Sequence, residues 1–549
     1  MLSAHPPEFL IQKEALKCQT MAMPFPHPPT HYELINPLFL FLKPQYPQKP
    51  MGFKPQPPPK KMTPFSTTSP TIRISTVLSL TLFFASFLLF IRLSNFARSQ
   101  QPHQTDCRDD RGYQVQGWSG DLRDSRFAWN KLCFGPPVNP RRLRLAVFSK
   151  KWPVGAAPGG MERHAFTLYS TLASRGHEIH VFTVPSDPSR SESGLPDGAL
   201  RLHFAPNEAG LLNNSLAWEL FASENESRAF DFVHTESVAL PHWRARRVAN
   251  LAASWHGVGY EALHSTLVQD LLHGERAPRS PEAERHLHDV MPRLIQEIRF
   301  FSSYAHHICI SDSAGEILRS VYQLPNRRVH VILNGVDQKS FRHDPEMGLR
   351  FRREFGLPQN ASLVMGVAGR LVKDKGHPLL FEAFSEIRER HPGVFLLIAG
   401  SGPWESRYRD LQPNVKVLGA LDPERLAEFY NSLDVFVNPT LRQQGLDLTL
   451  MEAMQCAKAV VATDFPSIKG SVVVSEGMGY TFAPNVGALV EALEEVIKDG
   501  HEVWRAKGMA SRAYASSMFA AEKMATAYER FFLCMNDRHY CRYPLPTDC

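Results

Sequence analysis

From Leu143 onward, short apolar runs alternate with amphipathic stretches. LRLAVFS (143–149), HEIHVFT (177–183), FDFVHTE (230–236), AASWHG (252–257), HHICIS (306–311) and VHVILNG (329–335) are brief runs that predict buried strands. Between the first two, Ala165, Leu168, Tyr169 and Leu172 recur at i, i+3, i+4 and i+7, which predicts a helix with one apolar face. The rhythm restarts after NGVDQKSFRHDP. Strands are predicted at SLVMGVAG (362–369), VFLLIAG (394–400), VKVLG (415–419), DVFVNP (434–439) and AVVAT (459–463), with helices between them. Alternating strands and helices build a parallel, doubly wound sheet. The chain is therefore read as α/β, with Rossmann-like domains over 141–338 and 339–510 and a hinge near 335–345. A last helix, about 511–533, carries Ala513, Ser516, Ser517, Ala520 and Met524 on one face. It is expected to cross back onto the first domain, ahead of a Cys-containing tail over 534–549.

The first 140 residues lack this rhythm. Residues 1–73 are Pro-rich (KPQPPPKK), a composition that cannot build a packed core and predicts a disordered arm. Met51 or Met62 as the true start would leave a short basic tail. Next come the 18 uncharged residues Ile74–Ile91, ISTVLSLTLFFASFLLFI, between Arg73 and Arg92. A spanning helix needs about 17 residues at the short end, so this run is expected to be a signal anchor. Lys54, Lys60, Lys61 and Arg73 precede it, and Asp106, Asp109 and Asp110 follow soon after. The positive-inside rule then predicts a single-pass type II protein of the endoplasmic reticulum or Golgi, with 92–140 as a stem and the rest lumenal. Sequons at Asn213, Asn225 and Asn360 agree with that placement.

Charge and cysteines add little more. The net charge of +6 lies largely in the N-terminal arm, so no nucleic-acid partner is expected. Of eight cysteines, Cys309 and Cys456 fall in apolar surroundings and are expected to be buried thiols. Cys107, Cys133, Cys534, Cys541 and Cys549 flank the folded region, where an oxidising lumen permits two disulfides whose pairing stays open. No Cys/His cluster has zinc spacing, and no metal site is expected.

Ligands of open parallel sheets bind beyond the carboxyl ends of the strands, and four loops there carry chemistry. In PGGMERH, Gly159 and Gly160 let a ligand approach the N–H groups at a helix start, unless they only make a tight turn. In GRLVKDKG, Arg370 and Lys375 suit a diphosphate, unless they form a solvated basic loop. In AGSGP, Gly400 and Gly402 admit a nucleotide. In QGLDLTLMEAM, Gln444 and Gly445 precede an apolar helix that contains Glu452. A carboxylate there needs donors, supplied by ribose hydroxyls or by a nearby Lys or Arg. His256 in SWHGVG sits at the mouth of the cleft, as a sugar contact or a structural imidazole. Glu236 in VHTES has a weaker case.

These segments stand in a recognisable order. GGMERH, LASRGHEIHVFT, FDFVHTES, ILNGVD, GRLVKDKGH, LLIAGSGP, LGALDPERLAEFY and GLDLTLMEAMQCAKAVVAT, across about Leu143–Ala527, resemble the GT-B glycosyltransferases of the retaining family four. The resemblance implies two Rossmann-like domains facing a cleft. It implies transfer of a sugar from a UDP- or GDP-linked donor, with retained configuration and without a metal or other cofactor. The acceptor would be a glycan, lipid or small molecule, recognised by first-domain loops such as 186–228 and 258–300. Arg370 and Lys375 match the family's diphosphate pair, Glu452 its ribose carboxylate, His256 its histidine near the sugar, and Gly160 its phosphate loop. Gly445, Leu446 and Leu448 fall in the same donor-facing stretch, and Asn334, Gly335 and Asp337 match a structural motif at the hinge.

One stretch departs from the family. Where it reads E-G-F-G-L, this chain reads QGLDL, with Gln444 for the Glu and Asp447 for the second Gly. Gln still accepts a hydrogen bond from a sugar hydroxyl but without charge, a loss of about 1 kcal/mol per contact. That slows a transferase roughly fivefold to tenfold. Asp447, three residues on, is expected to share a helix face with Gln444 and supply the missing carboxylate. His256, Gln444 and Asp447 are thus the expected catalytic group. Two other readings stay open: a non-catalytic GT-B domain that binds glycans or holds partner enzymes, and, more weakly, a GT-B epimerase or sugar-phosphate synthase.

Overall fold

The computed structural model describes residues 107–108, 114–115, 120–124, 129–134, 141–153, 159–187, 198–271, 280–443 and 446–548. The Pro-rich arm, the run Ile74–Ile91, most of the stem, Gln444 and Gly445 lie outside these residues. Among the described residues, no helix is long and apolar enough to cross a membrane.

The first domain is a seven-stranded parallel sheet. Its strands are β1 (Arg144–Phe148), β2 (Glu178–Thr183), β3 (Leu200–Phe204), β4 (Phe232–Glu236), β5 (Leu251–Trp255), β6 (His306–Cys309) and β7 (Val329–Val331). They lie in the order β7-β6-β5-β4-β1-β2-β3. Helix α1 (Gly160–Ser174) connects β1 to β2 and buries Ala165, Leu168, Tyr169 and Leu172, the apolar face that the spacing predicts.

The second domain has six parallel strands: β8 (Leu363–Ala368), β9 (Val394–Ala399), β10 (Val415–Gly419), β11 (Val435–Asn438), β12 (Ala459–Thr463) and β13 (Gly479–Phe482). Their order is β10-β9-β8-β11-β12-β13. The strand order reverses beside β1 in the first sheet and beside β8 in the second. Such reversals open a crevice at the carboxyl edge. With these two sheets facing one cleft, the fold is GT-B.

Four details depart from the expected elements. The expected loop 258–300 is mostly two helices, Gly259–Leu271 and Pro281–Phe301. Strand β3 and the helix Asn214–Ser227 fall inside the expected loop 186–228, and β13 has no counterpart among the predicted strands. Both β3 and β13 are edge strands. The last run is a strand only over Val329–Val331, after which Ile332, Leu333 and Asn334 continue as buried irregular chain toward the cleft.

The final crossing is also not one helix. Helices α2 (Val486–Met518) and α3 (Ala521–Asn536) are separated at Phe519 and Ala520. There the chain pairs with the hinge: Val336 N–H donates to Phe519 O at 2.7 Å, and Ala521 N–H to Val336 O at 3.1 Å. A Cβ on Gly335 would lie 2.9 Å from Ala520 O, Ala521 Cα and Met524 Cβ, so glycine is needed where the two crossings touch. Beyond the break, α3 lays Met524, Ala525, Tyr528, Phe531 and Phe532 against Leu145, Val147, Leu168, Tyr169 and Ile308.

The tail is anchored to α3. Arg530 forms a two-pronged pair with Asp548 at 3.0 and 3.1 Å, and Cys534 is bonded to Cys541. Cys133 is disulfide-bonded as well. Cys309 and Cys456 are buried thiols, as expected.

Candidate functional site

A cavity of about 480 Å³ opens between the carboxyl edges of the two sheets. The first domain contributes Gly159, Gly160, Arg163, His256 and Asn334. The second contributes Arg370, Lys375, Gly400, Arg442, Leu446, Asp447 and Leu448. Asn334 Nδ2 donates to Leu446 O at 3.1 Å, tying the domains together at the cavity wall.

The glycines have different reasons to be there. Gly159 caps α1 and Gly160 is its first residue. A Cβ on Gly160 would meet only Leu448 Cδ1, at 4.0 Å across the cleft, so the helix start stays open to a ligand. Gly400 (φ 150°) and Gly402 (φ 152°) are in the region that favours glycine. A Cβ on Gly400 would run into Gly369 O, and one on Gly402 would lie 2.6 Å from Leu371 O. These two are demanded by main chain against main chain, and of the pair only Gly400 lines the cavity.

Arg370 follows β8 directly and is exposed. Among the described residues, no carboxylate pairs with it. Lys375 differs: its Nζ donates to Asp447 Oδ2 at 2.7 Å. Asp447 is the N-cap of helix α4 (Leu448–Gln455, after β11) and accepts from Thr449 N at 3.3 Å and Thr449 Oγ1 at 2.9 Å. Burial pushes its carboxyl up, but Lys375, Thr449 and Asn438 outweigh that and hold it at about 2. This corrects the expected helical placement of Asp447. The helix starts only at Leu448, with Asp447 outside it as its extended cap, and the carboxylate bonds Lys375 and the helix start.

Glu452 is 2% exposed and lies behind the cavity wall. Its Oε1 pairs with Arg163 Nη1 at 2.7 Å, and its Oε2 accepts from Tyr430 OH at 2.9 Å. Burial raises its carboxyl, while Arg163 and Tyr430 pull it back. Of the two partners expected for this carboxylate, the structure supplies the basic side chain. Arg163 comes from α1, so the pair joins the two domains.

His256 donates from Nε2 to Glu236 Oε2 at 2.6 Å. Glu236, at the end of β4, is fully buried, and its Oε1 accepts from Tyr169 OH. Burial alone would raise this carboxyl; the hydrogen bond from His256 and the imidazoles of His164, His256 and His234 hold it at about 2. His164 packs its ring edge-on to that of His256, with centroids 4.6 Å apart. Burial, with His256 nearby, lowers His164 to about 3.

By distance alone, two groups among the described residues could hold a metal: His164, Glu236 and His256, and His180, His203 and Glu224. In the first, Glu236 already binds His256. In the second, Arg144 Nη2 lies 3.0 Å from Glu224 and brings a competing cation.

The structure thus brings Gly160, His256, Arg370, Lys375, Gly400, Leu446, Asp447 and Leu448 to one cavity. Gln444 and Gly445 lie outside the described residues. Arg163, Tyr430 and Arg442 were not singled out from the sequence. Arg163 stood in GGMERH next to two glycines already chosen, the one signal that could have found it.

Two adjoining parts of the chain match known families: residues 158–340 match Glycosyltransferase Family 4, and residues 362–499 match Glycosyl transferases group 1. An uncharacterised glycosyltransferase of Methanocaldococcus jannaschii is 24% identical over 372 residues, covering 65% of this chain and 90% of that protein. The sucrose-phosphate synthase of Thermosynechococcus elongatus superposes with a TM-score of 0.57 at 21% identity, over 71% of this chain and 98% of that one. Anabaena HepE, solved in complex with UDP-glucose, superposes with a TM-score of 0.50 at 17% identity, over 71% of this chain and 99% of its own. The two structures share the GT-B fold. The two family matches, over 158–340 and 362–499, support a glycosyltransferase of the group 1 family.

Proposed function

We propose that this group 1 glycosyltransferase moves a sugar from a UDP- or GDP-linked donor to a hydroxyl of a glycan, lipid or small molecule, with retained configuration and no resident metal. The observation that carries this reading is the convergence of Arg370, Lys375 and the open start of α1 at Gly159 and Gly160 on one cavity. As the bond from the anomeric carbon to the diphosphate breaks, the electron pair and negative charge go to the diphosphate oxygen. Fixed cations and a helix N-terminus aimed there stabilise that charge more than the neutral bond. The acceptor oxygen bonds the anomeric carbon, and its proton passes to the departing diphosphate oxygen that has gained the electron pair. His256 lines the first-domain wall of the same cavity, and this reading gives it a sugar hydroxyl as partner. HepE, of the same fold, is described with UDP-glucose bound, which agrees with a nucleotide-sugar donor.

The run Ile74–Ile91 supports a type II membrane anchor, with the catalytic region in the lumen of the Golgi or endoplasmic reticulum.

A second reading, a non-catalytic domain that binds glycans or scaffolds other enzymes, has one observation in its favour. Lys375 is held by Asp447 and Glu452 by Arg163, so two of three donor-matching side chains already have protein partners. Calorimetry of the full chain with UDP, GDP and ADP separates the two. A transferase binds at least one nucleotide and loses that binding on Arg370→Ala. A scaffold binds none.

A further inference from the structure

We propose that Glu236 is a positioning residue for glycosyl transfer: it fixes the proton of His256 on Nε2 and so offers Nδ1 to the bound sugar. This rests on reading the cavity as a transfer site.

The argument is a count of hydrogens. An ionised carboxylate only accepts, so both groups bonded to Glu236 must donate: His256 through Nε2 and Tyr169 through its hydroxyl. Tyr169 has one proton and spends it there. It must therefore accept at its 2.6 Å contact with His234 Nδ1, which puts the His234 proton on Nδ1. His234, held down to about 4 by burial, has only that one proton. Its Nε2 must then accept from Ser254 Oγ at 2.9 Å. Ser254 in turn accepts from Tyr528 OH at 2.7 Å. Every donor and acceptor in the ladder has one consistent assignment, running from α3 through β5, β4 and α1 to Glu236.

The ladder also makes Glu236 rigid. Its carboxylate is fully buried, and three secondary-structure elements besides its own strand fix its orientation. The imidazole of His256 is partly exposed and lines the cavity, and among the described residues nothing bonds to its Nδ1. That nitrogen is the one left for a ligand. A partner that fixes a ring's tautomer and direction acts on the reaction through the ring.

Glu236→Gln tests this with little change of shape. Tyr169 and His256 bond different oxygens of Glu236, Oε1 and Oε2; the amide puts an NH2 group in one of those two places, so a donor meets a donor and one partner must turn. With Glu236 acting through His256, kcat falls by about 10- to 100-fold, the scale for a partner that orients a reacting ligand. KM for the donor and nucleotide affinity stay near the parent values, and turnover is compared below the melting temperature of each variant so that lost stability does not register as lost kcat. In a His256→Ala background, adding Glu236→Gln costs no further kcat. A parent-like kcat in Glu236→Gln, or an undiminished loss in the His256→Ala background, overturns the proposal.

A second measurement does not depend on turnover. In ¹⁵N-histidine spectra of the full chain, the His256 signal, identified by its loss in His256→Asn, carries its proton on Nε2 and changes in Glu236→Gln. A proton on Nδ1 in the parent overturns the proposal even if no donor is ever found. Failure to bind any nucleotide overturns the transfer reading and leaves the ring assignment decided by the spectra.

Discussion

Lys375 Nζ lies 2.7 Å from Asp447 Oδ2, so a cation facing the cavity is already neutralised by a carboxylate of its own domain. Asp447 stands where the resemblance leads one to expect a glycine, and it changes the charge at the phosphate end of the cleft. Among the described residues lining the cavity, Arg370 is left as the exposed cation there.

Asp447→Asn is expected to tighten nucleoside-diphosphate binding. Asparagine still caps a helix, so α4 keeps its start while Lys375 is released and a repelling charge is removed. The gain is about 1 kcal/mol, or about fivefold in Kd, read by calorimetry. Weaker binding would show that Asp447 serves the ligand directly.

Arg163→Ala should destabilise the fold. It strips the cation from buried Glu452 and leaves Tyr430 as the one described partner of that carboxylate. Removing one member of a buried pair costs about 3 kcal/mol, and the slight exposure of Arg163 keeps the figure at that lower end. Urea unfolding measures it. Tyr430→Phe, which leaves the ion pair, should cost about 1 kcal/mol.

Mild acid should weaken the protein. Burial lowers His164 and His307 to about 3, and His234 and His377 to about 4. In the unfolded chain they protonate near 6.5, so between about pH 4 and 6.5 unfolding takes up protons and stability falls with pH. Glu261, pushed up to about 7 by burial, opposes this by one proton. Glu236 and Asp447, both held at about 2, lose their contribution only below about pH 4.5, outside most of that window. These four histidines less Glu261 give uptake of about two to three protons near pH 5, and His203, His306 and His330, also lowered by burial, add to it, seen as a falling urea midpoint from pH 7 to 5. A flat profile would contradict it.

Asn225 and Asn360 are exposed, whereas Asn213 is half-buried and caps a helix with its side chain. A lumenal chain should carry N-glycans at the first two sites, removed by endoglycosidase with a mobility shift. No shift, with deletion of 74–91 leaving the chain membrane-bound, would contradict the anchor.

Much of this fold is legible because the central strands are buried on both faces and read as unbroken apolar runs. Edge strands are not. Arg201 and His203 interrupt β3, and Gly479 and Thr481 dilute β13, because one side of each faces solvent or loops. The break at Phe519 and Ala520 is invisible for another reason. Helical spacing continues through it from Ala513 to Met524, and what stops the helix is pairing with Val336, far away in the chain.

The site divides in the same way. Gly160, His256, Arg370 and Lys375 stand at the ends of strands, where position alone marks them. The partners of Lys375 and Glu452 do not. Asp447 and Arg163 reach them across a loop and across the cleft, and only the folded chain brings them together. The weakest of the sequence candidates, Glu236, proves to be the buried partner of His256.

The most direct test of the central claim is a panel of UDP-, GDP- and ADP-sugars given to the full chain, with release of the nucleoside diphosphate measured over time. The account predicts release from at least one donor, a product with the donor's anomeric configuration, and loss of release in Arg370→Ala. No release and no nucleotide binding across the panel would contradict it.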